Sequence, residues 1–518
     1  MVRMQIGKSR DGASDRGFWN RRHFLAALGG ASVTPMVAGR GRADSVEDWE
    51  VEADERIQEH RTADLTVEVT DPDGTPIEDA TVAITMQEHA FGFGTAVAAE
   101  TLMNDTDIVD EYRETIRDLF NMAVLENHHK WRFFEDEQSL ADDATAWLVD
   151  NGLRLRGHTC LWANVDAWAV PPDVVEAMGI EWADGGATDP ELDPDHVRER
   201  SFEHLERIIE HYADFRDDGS VIDQWDVKNE AIHETAMIET IEETDLSPTD
   251  AVTADVVAEW YETADAIAPD GVATDVNDFN TLEGPYENVR SDYEAQIAFL
   301  LDADVGLDGV GLQCHFSQNE MLTAEEVWAG LDRYADYDVP IRITEFDMAD
   351  PNWPESEKAE FFHWFLKMMF SHPAVTDFLM WGFRDDLHWR DDAPLFDANG
   401  EPKPSYDVYT DLVFDEWWTD VEEETDANGS VDIAGFLGEY DVAVSYAGET
   451  VTETVTLPAD GESVTLTIDP PDDAQVDTAD DDDDFIPGFG AIAGIAGLVT
   501  AAKLVRSLGS SDPPDDSD

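Results

Sequence analysis

The chain has 518 residues, of which 31 are basic and 118 acidic, so its formal net charge at pH 7 is −87. This charge argues against nucleic acid as a partner, because proteins bind phosphate backbones through clustered cations. Extended disorder is also disfavoured, since 42% of the residues are hydrophobic and 16 residues are tryptophan. The length and composition predict one large folded domain with smaller attachments.

The basic residues are mostly arginine, and lysine is rare. Together with the acidic excess, this composition resembles that of proteins from extreme halophiles. At molar salt the Debye length is about 3 Å, so repulsion among surface carboxylates is screened there and acts fully in dilute buffer. We therefore predict that the protein unfolds or loses activity when salt is removed.

Residues 1–43 are predicted to be an export signal. The pair Arg21 and Arg22 precedes an apolar stretch of small residues that continues to about Ala38, and acidic sequence begins at Asp44. This order resembles a twin-arginine export signal. The alternative is a basic pair that happens to precede a short helix.

Two segments, 44–89 and 420–470, show the alternation of β-strands. In the first, apolar residues alternate on both sides of a turn at 71–74, with Leu65, Val67 and Val69 before it and Val82 and Ile84 after it. The second alternates with period two over 440–444, 451–457 and 463–468. Because each segment has few strands, we expect small β-sandwich pieces that fold together against the large domain.

Between these segments, residues 90–419 alternate short apolar runs with helical stretches. The candidate strands are 91–95, 122–125, 153–158, 221–228, 272–277, 309–313, 341–345 and 378–381. Such βα alternation predicts an α/β fold, the closed (β/α)8 or TIM barrel. A doubly wound open sheet is disfavoured because polar residues follow nearly every strand, and a barrel rim gathers such residues into one bowl.

Two glutamates stand at the ends of short apolar runs, Glu230 after the fourth candidate strand and Glu345 at the end of the seventh. Hydrolysis of a sugar acetal needs such a pair, because one carboxyl group protonates the leaving oxygen while the other attacks or activates water. A separation of roughly 5 to 5.5 Å retains the anomeric configuration, and about 6.5 Å or more inverts it. We expect a retaining glycosidase.

The segments around both glutamates, 225–231 and 343–347, resemble the signature segments of glycoside hydrolase family 10, the endo-1,4-β-xylanases (EC 3.2.1.8). Further segments that resemble the family, in the order expected of it along the chain, are 126–131, 156–159, 277–279, 311–315, 381–385, Trp389 and 402–407. The resemblance implies a barrel that hydrolyses β-1,4-xylan by double displacement. It implies Glu230 as the acid/base and Glu345 as the nucleophile.

The resemblance also implies supporting roles around the two glutamates. Asn229 would donate to the sugar 2-hydroxyl, while His315, with Asp347 behind it, would hold Glu345 ionised. The predicted substrate-binding residues are Glu126, Asn127, Lys130, His158, Trp162, Gln313, Trp381 and Trp389. We expect a low pKa for the nucleophile and a raised pKa for the acid/base.

One stretch departs from the family pattern. After Trp162 the family usually carries His-Ser-Gln, whereas this chain has Ala163-Asn164-Val165, which implies a smaller or relocated set of sugar hydrogen bonds. No cofactor is predicted, and no metal either, because His128 and His129 have no second ligand pair at a suitable spacing. Cys160 and Cys314 are expected to be buried thiols, with a disulfide as the alternative.

The C-terminus contains an acidic linker at 471–484, an apolar segment at 485–506 and an acidic tail at 507–518. The uncharged stretch from Phe485 to Ala502 has the minimum length of a membrane helix. Its Pro487-Gly488-Phe489 triplet resembles an archaeal sorting signal, in which the helix is removed and replaced by a lipid. We predict an exported protein attached to the cell surface, either by the helix or by a lipid.

Two alternatives remain open at the level of the sequence. The same apparatus could hydrolyse another β-1,4-glycan or a β-glycoside, since cellulose-type sugars differ from xylose by a hydroxymethyl group. The chain could instead be a surface-anchored carbohydrate-binding protein without activity, although both glutamates are present. The pattern leaves the oligomeric state undetermined.

Overall fold

The computed structural model describes residues 44–469, apart from residues 105 and 218. The predicted export signal, the acidic linker, the apolar C-terminal segment and the acidic tail all lie outside these residues. Within the described part, no helix has both the length and the apolar character that crossing a bilayer requires.

The described chain contains strands in its first, middle and last parts and helices mainly in the middle. The strands are β1 (Thr62–Thr70), β2 (Thr81–His89), β3 (Gly92–Val97), β4 (Met122–Leu125), β5 (Arg154–Gly157), β6 (Gln224–Asn229), β7 (Ala273–Asp278), β8 (Gly309–Leu312), β9 (His315–Phe316), β10 (Ile341–Met348), β11 (Val375–Met380), β12 (Asp420–Glu424), β13 (Ser430–Phe436), β14 (Gly438–Tyr446), β15 (Glu449–Leu457) and β16 (Glu462–Thr467). The α-helices are α1 (Asp44–His60), α2 (Ala99–Met103), α3 (Val109–Leu119), α4 (Trp131–Asp150), α5 (Pro172–Ala177), α6 (Pro194–Ala213), α7 (Ala236–Ile241), α8 (Pro248–Val252), α9 (Asp255–Ile267), α10 (Glu287–Ala303), α11 (Ala324–Ala335), α12 (Glu355–Ser371) and α13 (Pro404–Asp411).

The central sheet is a closed barrel of parallel strands. Its order is β3-β4-β5-β6-β7-β8-β10-β11, and β11 pairs with β3 to complete the ring. Short β9 extends one side through a parallel pairing with the end of β10. Every strand predicted for the barrel overlaps one of these, so the (β/α)8 prediction is confirmed.

The barrel interior carries an unusual set of buried charges. The guanidinium of Arg156 is fully enclosed and pairs with Asp226 and, at 2.8 Å, with Asp275. Arg342 reaches Asp275 from the other side at 2.7 Å. Because each buried charge has a partner of opposite sign, the network fixes the relative positions of β5, β6, β7 and β10.

The β segments before and after the barrel combine into one sandwich. In one sheet, β1 pairs with β13 antiparallel and with β16 parallel; in the other, β2 lies between β12 and β14, and β15 follows β14. The predicted alternation holds, since Leu65, Val67, Val69, Val82 and Ile84 are all fully buried. Each of the two sheets contains strands from both segments.

Segment 44–89, predicted as β structure, begins with helix α1 instead. The helix buries Ala53 and Ile57, and partly buries Trp49, against the rest of the molecule. These residues follow one another at intervals of four, the spacing of one helical face. The acidic residues between them masked this spacing in the sequence.

An aromatic cluster and one arginine join the sandwich to the barrel. Phe370 at the end of α12 stacks on Trp417 with ring centroids 4.2 Å apart and meets Phe91 edge-on at 5.1 Å. Arg61 donates to the carbonyl oxygens of Phe370, His372 and Val375 at 2.6 to 2.7 Å. The sandwich therefore packs at the amino ends of the barrel strands and leaves the carboxyl ends open.

Candidate active site

A cleft of about 620 Å³ lies at the carboxyl ends of the barrel strands, where TIM barrels place their active sites. The predicted site residues that line it are Glu126, Asn127, Lys130, His158, Trp162, Asn229, Glu230, Gln313, His315, Glu345, Trp381 and Trp389. Asp347 is fully buried behind His315. The structure thus gathers residues from six strand ends into one site.

Glu230 occupies the first position after β6 in a left-handed backbone conformation, with φ of 53°. Its carboxylate accepts hydrogen bonds from Gln313 Nε2 at 3.1 Å and from Trp162 Nε1 at 2.8 Å. Burial and the nearby charge of Asp278 raise the pKa of Glu230 to about 7. A group with this pKa can exchange a proton near neutral pH.

Asp278 is a carboxylate that the sequence-based site prediction missed. It is fully buried at the end of β7 and accepts hydrogen bonds from the Ile232 backbone N–H at 3.0 Å and from His233 Nδ1 at 2.7 Å. These bonds hold the turn that follows Glu230. The same negative charge disfavours ionisation of Glu230.

Glu345 lies in β10 with its carboxylate almost fully buried. It accepts hydrogen bonds from Asn277 Nδ2 at 2.8 Å and from His315 Nε2 at 3.3 Å. Burial alone would raise the pKa of Glu345, but the His315 hydrogen bond and the charges of His158 and His315 outweigh it, and the pKa is lowered. Glu345 is therefore ionised where Glu230 can be protonated.

His315 and Asp347 form the support behind Glu345. Burial alone would lower the pKa of His315, yet the charge and hydrogen bond of Asp347, 2.9 Å from Nδ1, raise it to about 10. The ring is thus a cation that donates from both nitrogens. Asp347 also accepts hydrogen bonds from Trp389 Nε1 at 2.9 Å and from Arg390 Nη1 at 3.3 Å. It therefore connects these two cleft residues to His315 and, through it, to Glu345.

Asn277 links the two halves of the site and was also missed as a site residue. Its Nδ2 group donates to Asn229 Oδ1 at 3.0 Å as well as to Glu345. The Nδ2 group of Asn229 is itself buried without a hydrogen-bond partner among the described residues. A buried donor without a partner is costly, so this amide is available to a bound hydroxyl.

One wall of the cleft combines polar and aromatic groups. Lys130 Nζ donates to Asn127 Oδ1 at 2.9 Å and lies 4.8 Å from the ring centroid of Trp162. His158 meets the Trp381 ring edge-on at 5.0 Å. Flat apolar faces beside fixed donors and acceptors suit a ligand that has C–H faces and hydroxyl edges, as a pyranose has.

Further residues line the cleft that the site prediction did not include. They are Asn164, Ala167, Glu234, Phe279, Asn280, Glu283, Tyr286, Glu320 and Arg390. Asn164 belongs to the stretch that departs from the family pattern, and its Oδ1 accepts from the Ala167 backbone N–H at 2.9 Å. Most lie in loops after the strands, where no strand-end pattern marked them.

His128, a possible metal ligand in the sequence, and the two cysteines do not line the cleft. His128 Nε2 lies 3.2 Å from a Glu137 oxygen and 3.8 Å from a Glu100 oxygen, so folding brings two distant carboxylates to this histidine. None of the three lines the cleft. Cys160 and Cys314 are both buried as free thiols.

A closed (β/α)8 barrel that gathers two buried glutamates into one cleft has the arrangement that glycoside hydrolysis by a pair of carboxyl groups requires. The chain belongs to glycosyl hydrolase family 10, whose model matches residues 83–412. A second model, the PGF-CTERM motif, matches residues 486–507 and indicates a secreted protein anchored at the cell surface.

Curated relatives are similar over most of the chain. Anti-sigma-I factor RsgI6 of Acetivibrio thermocellus is 28% identical over 424 residues, which cover 81% of this chain and 49% of that protein. Endo-1,4-beta-xylanase B of Paenibacillus barcinonensis is 25% identical over 355 residues, covering 61% of this chain and 94% of that protein. The chain spans less than two thirds of the length of the first curated relatives it matches.

Solved structures share the barrel. Xylanase 10B from Thermotoga petrophila RKU-1, determined in complex with xylobiose, superposes with a TM-score of 0.51 at 20% identity, over 63% of this chain and 95% of that chain. Native xylanase 10B from Thermotoga maritima superposes with the same TM-score at 21% identity, over 63% and 96%. At this identity the likeness establishes the fold alone.

Proposed function

We propose that the protein is an endo-acting, retaining β-1,4-xylanase with Glu230 as acid/base and Glu345 as nucleophile. The observation that carries the proposal is the opposite pKa shift of two glutamates that line one cleft. Pairs of carboxyl groups whose surroundings separate their pKa values mark an acid and a base.

In the first step, Glu345 attacks the anomeric carbon and Glu230 gives its proton to the departing oxygen. A glycosyl-enzyme forms and the C–O bond to the leaving sugar breaks. Neutralisation of Glu345 removes one of the charges that raise the pKa of Glu230, so Glu230 can then act as a base. It takes a proton from water, which attacks the anomeric carbon and releases Glu345.

Three groups beside Glu345 support these two reaction steps. The charged His315 and the amide of Asn277 keep the carboxylate oriented and ionised before attack. The Nδ2 group of Asn229, which has no hydrogen-bond partner within the described part of the chain, can donate to the 2-hydroxyl of the sugar, an interaction that strengthens in an oxocarbenium-like transition state.

Xylan as the substrate is supported by the family and by the xylanases among the relatives. The test is product analysis of xylan digestion in molar salt, with carboxymethylcellulose in parallel and NMR of the newly formed anomeric centre. We expect xylo-oligosaccharides with retained β-configuration. Cleavage of carboxymethylcellulose would indicate a different β-1,4-glycan as the substrate. A product with α-configuration would overturn the retaining mechanism. Binding of xylan without products would favour a carbohydrate-binding protein.

We also propose a twin-arginine route of export and a source in a hypersaline environment. The paired arginines near the N-terminus support the former, and the net charge of −87 supports the latter. Replacing Arg21 and Arg22 by lysine tests the route. Precursor should then accumulate in the cytoplasm, whereas unchanged export would refute it.

A further inference from the structure

Lys228 is a fully buried lysine two residues before Glu230, in a chain with few lysines. Its Nζ donates to the backbone carbonyl oxygen of Asn229 at 2.6 Å and to that of Glu234 at 3.4 Å. This ammonium group is therefore in the interior of the barrel domain and not on its solvated surface. Its contacts lie on the backbone before and after the turn that carries Glu230.

The turn itself is tight. The Glu230 carbonyl accepts from the backbone N–H of His233 at 3.2 Å and from that of Glu234 at 2.8 Å. The left-handed φ at Glu230 is uncommon for a residue with a side chain, so it has to be held by its surroundings. The carbonyls of Asn229 and Glu234 mark the two ends of this turn, and Lys228 bridges them.

The buried carboxylate of Asp278 holds the same turn by accepting hydrogen bonds from the donors of the turn. Asp278 accepts from the Ile232 backbone and the His233 ring, whereas Lys228 binds carbonyls. The backbone under Glu230 is thus held between two buried charges of opposite sign. The titratable groups whose charges interact with Glu230 are Lys130, Lys228, His233, Asp278 and Glu345, and Glu234 lines the same cleft.

We infer that Lys228 is a positioning residue for the acid/base: its ammonium fixes the carbonyls at both ends of the turn and its charge opposes that of Asp278 at Glu230. The inference deepens the proposed function and rests on it. Lys228 does not line the cleft, so it acts through Glu230 and not on the substrate.

The charge of Lys228 should be visible in the pH dependence of the activity. Burial lowers the pKa of Lys228 to about 8, and the charges of Asp278, Glu230 and Glu234 oppose that decrease. Below this pH the ammonium stabilises the Glu230 carboxylate. Without it, Glu230 should hold its proton to higher pH, so the alkaline limb of the pH profile should move upward.

The test compares two aryl β-xylobiosides, one with the good leaving group 2,4-dinitrophenolate and one with the poor leaving group phenolate. Only the poor one needs a proton from Glu230 at bond cleavage. For Lys228→Met we expect kcat to fall by at least ~10-fold on the phenyl substrate, a part of the usual contribution of general acid catalysis. For the dinitrophenyl substrate, kcat/KM should change little, because it reports formation of the glycosyl-enzyme and not the later step in which Glu230 acts as a base.

Two further variants keep the test decisive. Lys228→Gln retains a donor without the charge, so it should shift the alkaline limb even if Lys228→Met folds poorly. Lys367→Met removes another buried lysine, one that pairs with Asp54 and Glu416 on the far side of α12, and should leave the leaving-group dependence unchanged.

Equal loss on both aryl substrates, or a pH profile that does not move in Lys228→Gln, would overturn the inference. The proposed function would fail in a different way, because the wild-type protein would then cleave neither aryl substrate. The two failures are therefore distinguishable.

Discussion

At the scale of single residues, the site owes its chemistry to neighbours that come from other strands. Glu230 and Glu345 could be named from the sequence because each ends an apolar run in a distinctive segment. Asn277 and Asp278 could not be assigned roles, since their partners lie on β6, in the turn after it and on β10, and become neighbours only when the barrel closes. The sequence pattern therefore predicted the two glutamates but not the neighbouring residues that shift their pKa values.

Glu345→Gln should lower kcat on xylan by at least ~10³-fold, because the amide cannot form the glycosyl-enzyme. Turnover measured in molar salt checks this, with Glu325→Gln on the first turn of α11 as a control for loss of one acidic charge. Residual activity near that of the wild type would contradict the assignment.

The pH profile follows from the two pKa directions. In the proposed mechanism Glu230 is protonated for the first step, so kcat/KM should fall as pH rises through about 7, the raised pKa of this group. Glu345 must be ionised and its pKa is lowered, so the acid limb should lie below the usual range of a glutamate. In Glu230→Gln the residual kcat/KM on a phenyl xylobioside, whose cleavage needs the proton of Glu230, should lack the alkaline limb. Persistence of that limb would point to another group.

At the scale of elements, the strands of the barrel and the sandwich follow the alternation of the sequence closely. Helix α1 did not, since its apolar residues are spaced by four within a strongly acidic segment and the following strands suggested more β structure. Its end is fixed by a contact that no local pattern contains. Arg61, just after α1, binds three carbonyls more than three hundred residues away.

Arg61→Ala should lower the free energy of unfolding by about 3 kcal/mol, since a charge-assisted set of hydrogen bonds is lost and three carbonyls lose their donor. Denaturant unfolding in molar salt measures the effect. Arg198→Ala serves as the matched control, because Arg198 pairs with Glu259 at a site where both side chains are about 40% exposed. There we expect less than ~1 kcal/mol. Equal effects would show that the carbonyl contacts contribute nothing particular.

At the scale of the whole molecule, charge dominates. The net charge of −87 repels itself, and the buried ion pairs of the barrel do not relieve it because their charges balance. We expect the thermal midpoint to rise with KCl concentration up to molar levels, as screening shortens the Debye length to about 3 Å. Thermal melts followed by circular dichroism at a series of KCl concentrations check this; a midpoint independent of salt would refute it.

The C-terminal motif predicts where the protein resides. A chain truncated after residue 484 should be released into the medium, whereas the full chain should remain with the cells. Immunoblots of cells and medium distinguish the two, and mass spectrometry of the retained form tells a lipid from an intact helix. Release of the full chain to the same extent as the truncated one would contradict anchoring.

The composite sandwich has a consequence for biosynthesis. Strand β1 is made before the barrel, but its neighbours β13 and β16 are made after it. On the ribosome, a nascent chain therefore keeps Leu65, Val67 and Val69 without their sheet partners until translation has passed the whole barrel. Termination anywhere before residue 430 leaves an open sheet edge, so completion of this small module reports that the whole barrel has been synthesised.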